Sequence, residues 1–273
     1  MSETENQTPE PSPSNGAPQI QNEQAVVEEP ARLGPLSRLA GTLLSPGETF
    51  ADINRKPTWI APLLIAIISA IALSLFYDWR VKPDYLEITR QQMKQRVRGG
   101  EMPPEETIQK AADISSKINW VYAIVFPPIG ILFISGVFAL CMLLMQAQTT
   151  FKKILSVVAW TFSGVGVLST IVVAASVAIR DVSTLKDVPW YYASRYTATN
   201  LSAILSPESP VLKALEGSID VFSIWRVILL SIGLAAIAGS RKITTRQTGT
   251  LVAVLWLITV LLAVAFAAMG FGA

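Results

Sequence analysis

The sequence predicts an all-α fold, a membrane bundle of five transmembrane helices, and three observations carry that expectation. Five apolar stretches, 57–77, 118–145, 154–179, 221–239 and 248–269, occupy about two-fifths of the chain. A run of about 20 apolar residues matches the roughly 30 Å hydrocarbon core of a bilayer. Backbone groups in lipid have no water to bond, so each stretch is expected to be a helix. Composition agrees: 51% of residues are hydrophobic and only 15% charged, with the charges gathered between the apolar runs. Within the runs a single formal charge occurs, Arg226.

The chain divides into three parts. Residues 1–30 are polar and acidic, too poor in apolar surface to offset ordering entropy, and read as a disordered tail. Residues 31–57 read as amphipathic juxtamembrane helices. Leu33, Leu36, Leu39, Leu43 and Leu44 recur at helical spacing, with Arg32 and Arg38 among the other positions. That pattern predicts a helix lying in the interface, leucines in the acyl boundary and arginines toward phosphates. Ser45, Pro46 and Glu48 spell a second helix start with a capping box. Phe50 and Ile53 then give this helix a lipid-facing side. Residues 58–273 form the membrane domain, which Trp59 opens at the interface.

Between the first two runs lies the largest polar region, a charged helical loop at 78–117. Gly99-Gly100 and Pro103-Pro104 divide it into two predicted helices. The first carries Arg90, Lys94 and Arg98 on one face, a stripe suited to anionic phospholipid headgroups or an acidic partner. The plainer reading is a solvated face. The second begins at the prolines with Glu105 and Glu106, which favour a helix N-terminus.

The second run contains Pro127-Pro128, which removes two backbone donors and predicts a kink or break. Such breaks sometimes line transport sites. Small residues mark expected close packing: Gly164, Gly166, Thr170 and Ala174 on the third run, Ser231, Ala235 and Gly239 on the fourth. Trp190, Tyr191, Tyr192 and Tyr196 suit a headgroup region, and Ser209-Pro210 begins a short helix ending near Gly217. Asp220 is expected to cap the fourth run by accepting from Ser223. Arg226 lies about 9 Å deeper by helical rise and faces another side. Beside Trp225 it either reaches headgroups or meets carbonyls or an anion inside the bundle.

Chemistry is sparse. There is no histidine and one cysteine, Cys141, so Ser-His pairs, HExxH motifs, Cys/His zinc sites and internal disulfides are excluded. No acidic residue lies within the five runs, and no phosphate-cradling glycine motif occurs. The sequence therefore implies no enzyme, no cofactor and no metal. A net charge of +2 gives no sign of nucleic acid. Arg32, Arg38, Arg55, Lys56, Lys152, Lys153, Arg241, Lys242 and Arg246 gather on one side of the predicted bundle. Their density places the N-terminus in the cytoplasm and the C-terminus outside, although eight basic residues of the first loop pull the other way.

Several segments together resemble the bacterial branch of the Yip1-domain family. They are the leucines before Ser45-Pro46, then Phe50, Ile53 and the run from Pro57-Thr58-Trp59, and later Phe151-Lys152-Lys153 leading to Trp160. The fullest match is Asp220-Val221-Phe222-Ser223-Ile224-Trp225 leading into Ile232-Gly233-Leu234. The resemblance spans roughly 39–269, with a first loop longer than the compact family pattern. It implies a five-span bundle in a cytoplasmic membrane with a cytosolic N-terminus. Eukaryotic relatives are membrane adaptors that bind prenylated small GTPases. Two functions follow as expectations: an adaptor or organiser with protein or lipid partners, or a small transporter or channel for an anion or lipid past Pro127-Pro128 and Arg226.

Overall fold

The computed structural model describes residues 33–97, 100–197, 199, 210–239 and 243–269. The acidic tail at 1–30, Arg98, Arg241 and Lys242 lie outside them. Among the described residues the regular elements are helices. They are α1 (Pro35–Leu44), α2 (Pro46–Arg55), α3 (Ile60–Val81), α4 (Tyr85–Val97), α5 (Glu105–Leu144), α6 (Phe151–Ile179), α7 (Pro210–Ser218), α8 (Val221–Ala236) and α9 (Thr245–Ala268), with two short 3-10 turns at Val182–Thr184 and Trp190–Tyr196.

Helix α6 is the central post. From Ile154 to Val165 all its residues but Phe162 are buried, because α1, α2, α3, α5 and α8 pack around it. The seam with α3 is parallel. Ser163 Oγ donates to the Pro62 carbonyl at 2.5 Å, and farther along Leu73, Tyr77 and Val81 cluster with Val173 and Val177. Helix α8 runs the opposite way, its Arg226 beside Phe162 and its Gly233 against Val157. It ends where the Gln148 N–H donates to the Ala238 carbonyl at 3.0 Å. Helix α9 turns back along α8, tied by Thr248 Oγ1 to the Ser231 carbonyl at 2.7 Å. We call the end holding the α5–α6 turn the lower end.

Four helices, α3, α5, α6 and α9, are long and apolar enough to cross a membrane. The fifth apolar run is shorter than expected. Helix α8 has 16 residues, about 24 Å of rise, because the Asp220 cap fixes its start and the turn at Ile237–Gly239 ends it. Among the described residues, then, four helices reach spanning length and α8 is a shorter apolar fifth. As expected, a short helix opens at Pro210; α7 packs along α9 and is separated from α8 at Ile219 and Asp220.

The first loop also differs from expectation. Its second half is no separate helix, since α5 runs 40 residues from Glu105 to Leu144. No breaker stands between Glu105 and Ile118, so the polar turns continue straight into the span. Pro127 and Pro128 sit inside that same helix, and no break forms there.

At the upper end, Tyr77 Oη meets the carbonyls of Leu185 and Val188 at 3.0 and 2.9 Å, fastening the loop after α6 onto α3. Helix α4 packs on α5 and reaches the same loop through Gln92 to Tyr191. Tyr191 stacks among Tyr122, Trp190 and Tyr192, so the aromatic group is a packed cluster.

Candidate functional site: a helical foot and its boundary with the bundle

The α1–α2 hairpin is not a pair of helices lying loose at the interface. The Arg38 side chain, expected to face phosphates, is buried, with 2% of the residue exposed. Its Nη2 and Nε lie 2.8 and 2.9 Å from Asp52 Oδ2 on α2. Its Nη1 donates to Thr58 Oγ1 at 2.6 Å and to the Lys56 carbonyl at 3.1 Å, in the link to α3. Thr58 in turn accepts from Trp160 Nε1 of α6 at 3.4 Å. One guanidinium thus joins four segments, each of its bonds strengthened by charge.

Phe50 and Ile53, expected to face lipid, are fully buried against α6 and α8. Each such side chain contributes about 1.5–3 kcal/mol when withdrawn from water. On α1, Leu39 and Leu43 pack against the same core, and Thr42 meets Gly164 of α6. The small-residue surface on α6 therefore admits α1 at Gly164. Ser231 on α8 admits α9 at Gly249. The expected capping box at Ser45 is replaced by something tighter. Ser45 ends α1 as it begins α2, and its side chain makes no capping bond. Its carbonyl instead accepts from Thr49 N and Oγ1 at 3.1 and 3.0 Å.

The foot comprises α1, α2, the lower turns of α6 and the lower end of α8. A boundary separates it from the spans. Arg55 and Lys56 are exposed immediately before α3, beside Trp160 and Ser163 of α6. Exposed Arg246 and Gln247 precede the apolar part of α9. From Trp160 to Ile179, α6 rises roughly 28 Å, close to the thickness of the hydrocarbon core. At the other limit Trp79, Trp120 and Tyr122 stand exposed, as aromatic residues do at a bilayer surface. Exposed basic residues bordering apolar runs of this length suit a headgroup level near Trp160.

The remaining sequence candidates fall in separate places. Asp220 caps α8 as expected, accepting from Ser223 N–H, while Ser223 Oγ accepts from the Asp220 N–H at 3.0 Å. Arg226 is half-buried with its Cζ 5.3 Å from the centre of the Phe162 ring, and Trp225 beside it is exposed. Pro127 and Pro128 are partly exposed on α5. Arg90 is engaged by two carboxylates, Glu87 at 2.7 Å and Glu105 at 2.6 Å. Those hydrogen bonds, Glu105 first, raise its pKa. Lys94 is exposed on the same helix. The arginine that opens the basic stripe is thus occupied within the fold.

The Arg38–Asp52 pair was the residue relationship that sequence reasoning missed. A signal existed: Asp52 stands between Phe50 and Ile53, on a helix side assigned to lipid, where a carboxylate is costly without a partner.

The Yip1 domain profile matches residues 40–268. Membrane protein YknW of Bacillus subtilis strain 168 is 28% identical over 211 residues, covering 75% of this chain and 80% of that relative. No solved structure matches. The profile takes in α2 to α9 and all but the first turns of α1, so the match rests on the foot and the bundle together: this chain belongs to the Yip1-domain family, and it is a membrane protein.

Proposed function

We propose that this protein is a non-enzymatic membrane adaptor or organiser whose working surface is the foot. The observation that carries the reading is a contrast within α1. Its inner face is fastened by Arg38, Thr42 and Leu39, yet Leu36 and Leu44 on its outer face are 78% and 81% exposed. Leu143 and Leu144 at the lower end of α5 are 71% and 75% exposed as well. Apolar side chains held on a rigid scaffold, beyond the spans, suit capture of an apolar or amphipathic partner segment. Support for a cytoplasmic foot comes from Arg55, Lys56, Lys152 and Arg246, all exposed on that side. Helix α9 then carries the C-terminal end to the opposite face.

Affinity capture from native membranes in mild detergent tests this, comparing the natural protein with a Leu36→Ser/Leu44→Ser variant. Deleting the hairpin would be uninformative, because Phe50 and Ile53 belong to the core. The reading predicts a protein partner retained by the natural protein and lost from the surface variant. Identical retained proteins from both would overturn it.

A further inference from the structure

Among the described residues, Arg226 is a cation with no hydrogen-bonding partner. Its Nε is sealed from solvent and meets no acceptor. The nearest acid along its own helix, Asp220, is six residues earlier and committed to capping Ser223. Phe162 backs the guanidinium with its ring face, which attracts the charge but accepts none of its in-plane N–H groups. The residue as a whole keeps only partial exposure, in the seam between α6 and α8. Trp225 and Ile228 beside it are 38% and 43% exposed, on the apolar outer side of α8.

Its level along the bundle decides what meets it. Phe162 adjoins Ser163, whose hydroxyl binds the first turn of α3, just past exposed Arg55 and Lys56. That is the level of the exposed basic residues that suit headgroups. A planar guanidinium with no acceptor among the described residues matches two oxygens of one phosphate group.

We propose that Arg226 seats the phosphate of an anionic phospholipid headgroup in the α6–α8 seam, with Phe162 behind the guanidinium and Trp225 beside it. The proposal goes beyond the docking role of the foot and does not depend on it. A zwitterionic lipid offers the same phosphate next to its own cation and is expected to bind more weakly. Free phosphate shares the chemistry but lacks acyl chains to lie along Trp225 and Ile228.

Native mass spectrometry of the delipidated full chain, titrated with phosphatidylglycerol, phosphatidylcholine or inorganic phosphate, tests the seat. The expected result is one tightly retained phosphatidylglycerol, not displaced by inorganic phosphate. Arg226→Gln should weaken its retention about tenfold, the loss of one charge-assisted contact, and Arg226→Lys should restore part of it. Equal retention by Arg226→Gln and the natural protein overturns the proposal. Displacement by inorganic phosphate overturns the lipid assignment in favour of a solute anion. Should Arg226→Gln fail to fold, the natural protein still decides the matter. A phosphatidylglycerol carrying a photoreactive headgroup must then label peptides from 155–165 or 221–230, and labelling confined to other segments sinks the idea.

Discussion

Arg38 and Asp52, 14 residues apart, form a buried ion pair that closes α1 onto α2 and fastens both to the start of α3. Two opposite charges survive burial here because their geometry is close and their remaining hydrogen-bonding groups are matched by Thr58 Oγ1 and the Lys56 carbonyl. The consequence is structural integration. The hairpin belongs to the same core as α6 and α8, so the foot moves with the bundle.

That integration predicts slow backbone hydrogen exchange in α1 and α2. In a lipid nanodisc, amides from Arg38 to Ile53 should exchange on the timescale of the lower turns of α6, since they open only with the core. Arg38→Met should speed exchange in α1 and α2 together and leave the upper half of α3 unchanged. Rapid exchange in the natural protein would show a hairpin that detaches on its own.

Gly233 is where α8 approaches both α6 and the hairpin. A Cβ there would lie 2.5 Å from Val157 Cγ1 and 3.1 Å from Phe50 Cε1. Gly233→Ala should therefore cost about 1–3 kcal/mol by overpacking, measured as a lowered unfolding midpoint in detergent. Gly166→Ala is the comparison. Nothing lies within 4 Å of its Cβ, and the change should be neutral or slightly stabilising.

At the upper end, Tyr85 of α4 donates to Asp78 Oδ1 at 2.8 Å. Burial first, and then this hydrogen bond, raise the phenol pKa above its ordinary value. A raised folded-state value favours the neutral phenol. Its contribution is therefore complete below about pH 10, the ordinary value, and is lost as pH climbs through the higher folded value. Absorbance titration should find Tyr85 among the tyrosines that resist ionisation until unfolding, and Tyr85→Phe should lower their number by one. The same substitution should cost about 1 kcal/mol of stability at neutral pH.

Much of this architecture was legible because apolar length reads directly on helices in lipid. Tight connections were equally readable: the turn at 146–150 forces α5 and α6 into a hairpin. Asp220 was readable too, since its carboxylate three residues before Ser223 has one natural use at a helix start. The hairpin was not. Leu39 and Leu43 recur at helical spacing whether they meet acyl chains or protein, and periodicity cannot tell those surroundings apart. Arg38 looked like a headgroup ligand because its partner lies on another helix. The length of α5 was hidden by a change of solvent: its polar turns read as loop, yet nothing in them interrupts the helix. The Phe162 ring behind Arg226 was not legible either, because it comes from another helix.

A double-mutant cycle measures how far Arg38 and Asp52 hold the hairpin in the core. Unfolding free energies in detergent would be compared for the natural protein, Arg38→Met, Asp52→Leu and the double variant. Each single change should cost about 3–5 kcal/mol, because it leaves the other charge buried and unpaired. The double variant should cost less than the two singles added together, by well over 1 kcal/mol. Two small and additive losses, each within about 0.5 kcal/mol of zero as for an exposed site, would contradict the account and return the hairpin to the membrane surface.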